Sequence, residues 1–292
     1  MLTTLCAAER ELMMSDVQVT VLVDDKAGDG LRREHGFSLW IETGGKRILF
    51  DTGQGGVLVV NAQKLGVRLE ETDAIVLSHG HYDHTDGLGE VLGVATEAQV
   101  VVHRDAFVTR YSLRSSDGPK AIGVSEAARR AIRQVPAEKV TWSARPVTVM
   151  AKVGVTGTIA RATSFEDTGG PFFLDAQGQT SDPIMDDQAL WIDTGEGLLV
   201  CVGCCHAGLI NTLHAVQRAS GTARIRAVIG GFHLLNASAD RLGQTLHALR
   251  SIAPEMLVAC HCTGDPAVRQ LQERFGDRVS VGRCGMTLGV AS

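Results

Sequence analysis

The run Ile75-Val76-Leu77-Ser78-His79-Gly80-His81-Tyr82-Asp83-His84-Thr85-Asp86-Gly87-Leu88 decides most of what this chain can be. It packs His79, His81, Asp83 and His84 into six consecutive positions. Ala74 to Leu77, just before it, is apolar and partly β-branched, which predicts a buried strand that delivers ligands to a loop at its carboxyl end. Regular helix cannot serve here, because residues two apart on a helix point to nearly opposite sides and His79 and His81 could not share an ion. A turn eased by Gly80 lets both imidazoles face one ion while Asp83 and His84 turn toward a second. Imidazole and carboxylate suit zinc, iron or manganese better than the softest metals. The plainer alternative is four polar residues on a solvated turn. Three histidines and an aspartate directly behind a buried strand argue against it.

Four ligands in one loop cannot close two metal sites, so distant strand ends must supply the rest. Three histidines each follow an apolar run: His206 after Leu198-Val202, His233 after Ile225-Ile229, and His261 after Met256-Ala259. Each of them can also be a buried histidine satisfied by its neighbours.

His-x-His-x-Asp-His after a strand resembles the metallo-β-lactamase fold superfamily, and other runs extend the likeness. Ile48-Leu49-Phe50-Asp51-Thr52-Gly53 is similar to the superfamily's earlier strand ending in Asp-Thr-Gly, whose aspartate braces the metal loop. Four further runs carry the resemblance: Glu34-His35-Gly36-Phe37-Ser38-Leu39, Gly203-Cys204-Cys205-His206-Ala207-Gly208, Gly230-Gly231-Phe232-His233-Leu234 and His261-Cys262-Thr263-Gly264. Together they resemble the branch that includes archaeal dihydropterin synthase-like enzymes acting on ribofuranosylaminobenzene phosphate. The likeness runs from Val17 to the end of the chain and fixes no substrate.

The resemblance implies an α/β chain of the α+β type, built as a four-layer αββα sandwich. It implies His79, His81 and His206 on one metal, and Asp83, His84 and His261 on the other. His233 then becomes a catalytic or substrate-facing group, although the motif order leaves an exchange with His261 open. Asp83 is expected both to bind metal and to orient the nucleophile. Asp51 is expected to accept an imidazole N–H, which fixes the nitrogen that faces metal. His35 reaches toward the site from the first hairpin. Two-metal members of the superfamily have a bridging aspartate on a strand ending in Gly-Asp, whereas this strand ends Gly203-Cys204-Cys205-His206. Four readings stay open: a thiolate bridges, His206 takes that place, the second metal is weaker, or Cys204 and Cys205 simply pack.

Composition narrows the setting. Among the 292 residues, 44% are hydrophobic and 4% aromatic, so the core must be mostly Val, Leu, Ile and Ala. A net charge of −5 with no basic stripe argues against nucleic acid as a partner. Seven cysteines, an odd count in a chain of this size, do not read as a disulfide framework and fit a cytoplasmic setting. No stretch is long and apolar enough to span a bilayer, and no signal peptide is visible. Residues 1–15 read as a flexible tail, and 16–292 as a single domain.

Strands are expected at Val17–Val23, at Phe37–Glu42 and Lys46–Phe50 as a hairpin around Gly44-Gly45, and at Gln99–His103. After a polar excursion over 104–145, read as an insertion or lid with one helix near Ser125 to Gln134, strands resume at Val147–Met150 and Val153–Ala160. The later strands Gln188–Ile192 and Leu198–Val202 lead into β-then-α alternation. Helices follow from Gly208 and around Leu242, Leu246 and Leu249. His103, His214 and His247 read as packing or surface residues. Asp186-Asp187 and Glu166-Asp167 are possible substrate contacts. The glycines of Gly28-Asp29-Gly30 and Gly53-Gln54-Gly55-Gly56 lack phosphate-loop spacing, but their N–H groups are candidates for an anion.

The expected function is therefore a metal-dependent hydrolase, or a related lyase or transferase. A metal-activated hydroxide would act on a small anionic substrate, whether an ester, a lactone or a phosphate-bearing molecule, and the branch resemblance adds a pterin-related substrate to these options. The expected cofactor is one or two divalent ions, zinc foremost, with iron or manganese as alternatives. Rival readings are an iron-dependent redox enzyme and a non-catalytic, metal-stabilised binding protein. Oligomeric state is not legible.

Overall fold

The computed structural model describes residues 17–114 and 118–291, so the expected tail, with Cys6, lies outside the described residues. Its first sheet contains β1 (Val17–Val23), β2 (Ser38–Thr43), β3 (Lys46–Phe50), β4 (Ala74–Val76), β5 (Gln99–Val102), β8 (Val140–Trp142) and β17 (Thr287–Val290), and its strand order is 17-1-2-3-4-5-8. The second contains β9 (Val147–Met150), β10 (Val153–Val155), β12 (Ala189–Asp193), β13 (Leu198–Val202), β14 (Ile225–Gly231), β15 (Met256–Cys260) and β16 (Val279–Val281), in the order 16-15-14-13-12-10-9. Each sheet begins as an antiparallel meander and continues as parallel strands: β3, β4, β5 and β8 in the first, β13, β14, β15 and β16 in the second. The chain therefore repeats one plan twice.

Side-chain alternation builds the layers, because successive residues on a strand face opposite ways. Leu199, Cys201, Ile229 and Val258 of the second sheet meet Val19, Ile41, Ile48 and Val76 of the first in a common core. Val200, Val202, Val228 and Leu257 point outward. There they pack under α5 (Leu209–Ser220), α6 (Ala239–Ile252) and α7 (Asp265–Phe275). The first sheet's outer face is covered by α1 (Val57–Leu65), α3 (Leu88–Val94) and α4 (Glu126–Gln134), through Leu58, Val91, Ala128 and Ile132. This is the αββα sandwich that the family resemblance implied.

Several expectations shift at their edges. The strand expected over Val153–Ala160 stops at Val155, because Gly157, with φ +62, turns the chain away against Arg145. His79 and His81 lie outside any helix, yet Tyr82–Thr85 forms one helical turn, α2. The stretch 104–145 divides in two. Its later part supplies α4 and β8 to the first half of the sandwich. Its earlier part supplies β6 (Tyr111–Ser112) and β7 (Lys120–Ala121), which join β11 (Phe172–Phe173) in a small third sheet. Two-residue strands leave no periodicity to detect.

Candidate metal centre

The parallel strands of both sheets release their next residues at one edge of the sandwich, where open α/β sheets commonly bind ligands. β3 is followed by Asp51, β4 by Ser78 and His79, β13 by Cys204 and His206, β14 by His233, and β15 by His261. Asp51, Cys205, His233 and His261 hold positive φ values of 58, 50, 47 and 44°, a region costly for residues other than glycine. These kinks end the strands sharply. Gly80 is needed for a different reason: a Cβ there would stand 1.8 Å from the Ala106 carbonyl oxygen.

His79, His81 and His206 converge, with one ring nitrogen from each lying within 4.8 Å of the others. All three are buried. His79 Nδ1 donates to Ser78 Oγ at 2.8 Å, and Ser78 Oγ donates to Asp51 Oδ2 at 2.7 Å. That leaves the His79 Nε2 lone pair facing His81 Nδ1 at 3.0 Å. His206 Nδ1 donates to the Thr168 carbonyl at 2.8 Å, while its Nε2 is buried with no hydrogen-bond partner among the described residues. Leaving a buried nitrogen unsatisfied costs about 1–3 kcal/mol, so such a cluster fits a cation.

A second convergence adjoins the first. Asp83 Oδ2 lies 3.4 Å from His261 Nε2, 3.8 Å from His84 Nε2 and 3.3 Å from His35 Nε2. His84 Nδ1 donates to Asp51 Oδ2 at 2.7 Å, and His261 Nδ1 to Asp25 Oδ1 at 2.6 Å. Asp51, also held by the Ser78 N–H, is thus the imidazole brace that the sequence suggested. Asp25 is a second brace that sequence reading missed. It sits just beyond β1 in a polar loop, and its one signal was the position after a buried strand. The residues present fit divalent metal, since four of these five imidazoles have one ring nitrogen tied to an acceptor and the other left toward the cluster.

Electrostatics separate the two convergences. Burial drives His79, His81 and His206 well below the usual imidazole range, and the crowding of other imidazoles, with Arg110 near His79 and His81, adds to this, so all three are neutral. Burial would do the same to His84, but Asp51 and Asp83 outweigh it and raise its pKa. At His261, burial is overcome by Cys262, Asp25 and Asp83, and the net shift is well upward. Burial raises the Asp83 carboxyl, yet His84 and His261 more than reverse this and hold it far below the carboxylate range. Asp25 is lowered in the same way, through His261 and His35.

His233 lies tilted beside His206, ring centroids 4.4 Å apart, and its Nδ1 is buried without a partner among the described residues. It lines the cleft beside the first convergence, whereas His261 belongs to the second. The two cysteines part company. Cys205 packs in the helical layer, while Cys204 faces the histidines, its Sγ 3.2 Å from His84 Nε2. His35, with its side chain 56% exposed, stands at the cleft and donates to Asp25.

Other candidates have structural duties. Asp186 pairs with Arg110 and accepts the Gly80 N–H at 2.7 Å. Asp187 accepts from Ala207, and Glu166 caps the start of α5 through the N–H groups of Ile210 and Asn211. Asp167 pairs with Arg241. The N–H groups of Gln54 and Gly56 donate to Glu34 and Glu90, so they are not available to an anion. His103 holds Thr158 and the Asp105 N–H away from the site. His214 and His247 lie on α5 and α6. The cleft mouth instead presents Arg114 and Lys120, from the small third sheet and its approach. Neither was singled out in the sequence.

Known proteins share this architecture. The profile of the metallo-beta-lactamase superfamily matches residues 31–171. An uncharacterised protein of Methanocaldococcus jannaschii is 31% identical over 274 residues, spanning 93% of this chain and all of that protein. The 7,8-dihydropterin-6-methyl-4-(beta-D-ribofuranosyl)-aminobenzene-5'-phosphate synthase of the same organism is 29% identical, over 90% of this chain and 92% of its own length. The crystal structure of a metal-dependent hydrolase of the beta-lactamase superfamily superposes with a TM-score of 0.81 at 30% identity, over 94% of this chain and all of the other. With two sheets of one plan, histidines and acids delivered from their parallel strand ends and relatives spanning nearly its whole described length, this chain belongs to the metallo-beta-lactamase superfamily.

Proposed function

We propose that this protein is a metal-dependent hydrolase of small anionic substrates, with His79, His81 and His206 holding one divalent ion and Asp83, His84 and His261 a second. The observation that carries the reading is the convergence of one ring nitrogen each from His79, His81 and His206 in one buried cluster, beside a cleft whose mouth carries Arg114 and Lys120. Bound divalent ions supply Lewis acidity and bring the pKa of water to about 7. The chain's own groups do the rest. Asp83, held ionised, orients the attacking oxygen. His233, against Phe172 and the cleft, is placed to hold a proton for the leaving group. Arg114 and Lys120 draw the substrate's negative charge to the mouth. No helix among the described residues is long and apolar enough to cross a membrane.

The synthase relative favours a phosphate-bearing, pterin-related substrate, and hence a transferase or lyase variant of the same chemistry. The test is a panel of phosphomonoesters, phosphodiesters, lactones, thioesters and pterin phosphate esters, offered to chelator-stripped protein and to protein reloaded with zinc, iron or manganese. Turnover that appears only on reloading supports the proposal. Oxygen uptake with iron in place of hydrolysis would replace it with the redox reading. Full metal occupancy and tight pterin binding without turnover would leave a binding protein.

A further inference from the structure

Cys204 sits where both convergences meet. Its Sγ lies within 4.8 Å of a ring nitrogen of each of His79, His84, His206, His233 and His261. It is also 3.3 Å from Cys262 Sγ. Both thiols are buried and line the cleft. Cys201, Cys205 and Cys260 behave differently: each belongs to an apolar core cluster, as a packing cysteine should. The local backbone explains the contrast. Cys204 and Cys205 are neighbours in the turn just beyond β13, where the left-handed backbone at Cys205, φ 50°, leaves one side chain in the helical layer and the other at the cleft. The Cys204–Cys262 separation is far longer than the roughly 2.05 Å of a disulfide. It is close to the separation of about 3.8 Å expected for two thiolates sharing one tetrahedral zinc.

Resting on the metal-dependent reading above, we propose that Cys204 is a thiolate ligand shared by the two ions and that Cys262 is a further thiolate ligand of the second. Each thiol gives up its proton to solvent as metal binds, and no oxidant or reductant is involved. Two soft anionic donors tilt the centre toward zinc or iron(II) and away from magnesium or manganese. The Cys204 sulfur also sets the two ions' shared environment, so its loss should weaken both together rather than one alone.

The test uses the whole protein, stripped with chelator and reloaded with cobalt(II) alone, and reads the thiolate-to-cobalt charge-transfer absorption in the near ultraviolet. Wild-type protein should show the band. Cys262→Ser should lose about half of it and Cys204→Ser more, whereas Cys205→Ser and Cys201→Ala should keep it in full. Cys204→Asp, which returns a hard anionic ligand, should restore metal stoichiometry without restoring that part of the band. It should also shrink the zinc-over-manganese preference by about tenfold or more. Circular dichroism and thermal unfolding check that each variant is folded. Zinc-edge X-ray absorption should show sulfur scattering at about 2.3 Å in wild type. A cobalt spectrum with only nitrogen and oxygen character, or a band untouched by both Cys204→Ser and Cys262→Ser, would overturn the thiolate assignment while leaving the histidine centre standing. Failure to bind cobalt at all would overturn both.

Discussion

His84 Nδ1 lies 2.7 Å from Asp51 Oδ2, with both side chains fully buried, and this contact joins the end of β3 to the ligand loop that follows β4. The same carboxylate takes the Ser78 N–H and hydroxyl. Asp51→Asn keeps the shape and tolerates the left-handed backbone, but its amide turns a donor toward groups that already donate. Zinc affinity should fall by about 10–100-fold with the fold retained. A chelator-competition titration measures this. Unchanged affinity would mean that Asp51 does not set the histidine's orientation.

Arg110 is the largest of the fully buried side chains, and its guanidinium forks between Asp182, at 2.7 Å from Nε, and Asp186. Asp186 in turn holds the Gly80 N–H inside the ligand loop. Arg110→Ala strands two buried carboxylates and should cost about 3–5 kcal/mol in urea unfolding. Arg110→Lys should recover only part of this, because an ammonium cannot span both acids. Metal affinity should fall alongside stability in both variants. Full stability in Arg110→Ala would disprove the role.

The legible and illegible parts of the site divide along a physical line. The convergence of His79, His81, Asp83, His84, His206 and His261 was readable because each lies in a segment that follows a strand whose apolar run is itself a signal. Their braces were readable only where a motif marked them, as at Asp51. Asp25, Arg110, Arg114 and Lys120 act through contacts that join distant segments: Asp25 reaches His261 across 236 positions and Arg110 reaches Asp186 across 76. No local pattern encodes such pairings. Cys204 and Cys205 show the same limit. Adjacent and chemically identical, they differ only in which face of the chain each occupies.

Asp187 gives the stability of the fold a pH signature. Burial pushes its carboxyl up to about 7 from the ordinary 3.8, while its hydrogen bond from the Ala207 N–H pulls the other way. The folded state therefore holds a proton that the unfolded chain releases. That stability is complete below about pH 4 and is lost as pH rises through about 7. Asp187→Asn never ionises and keeps an acceptor for Ala207. In chelator-stripped protein, the stability of Asp187→Asn relative to wild type should climb between pH 4 and 8, by on the order of 4 kcal/mol at most. Thermal unfolding across that range measures it, and parallel curves would exclude the effect.

Arg114 and Lys120 frame the mouth of the cleft over aromatic faces. The Arg114 guanidinium stands 5.8 Å from the Phe172 ring centre, and Lys120 Nζ lies 4.6 Å from that of Tyr82 and 2.9 Å from its hydroxyl. Neither touches the convergent nitrogens, so they are placed to act on substrate charge before the chemical step. Arg114→Ala and Lys120→Ala should each raise KM for a phosphomonoester about three- to tenfold, equivalent to about 1 kcal/mol for a partly exposed ion pair, with kcat nearly unchanged. The penalty should shrink at about 1 M salt, where the screening length falls to about 3 Å. A neutral ester should be indifferent to both substitutions. Equal losses on charged and neutral substrates would show that these residues shape the cleft and do not read its charge.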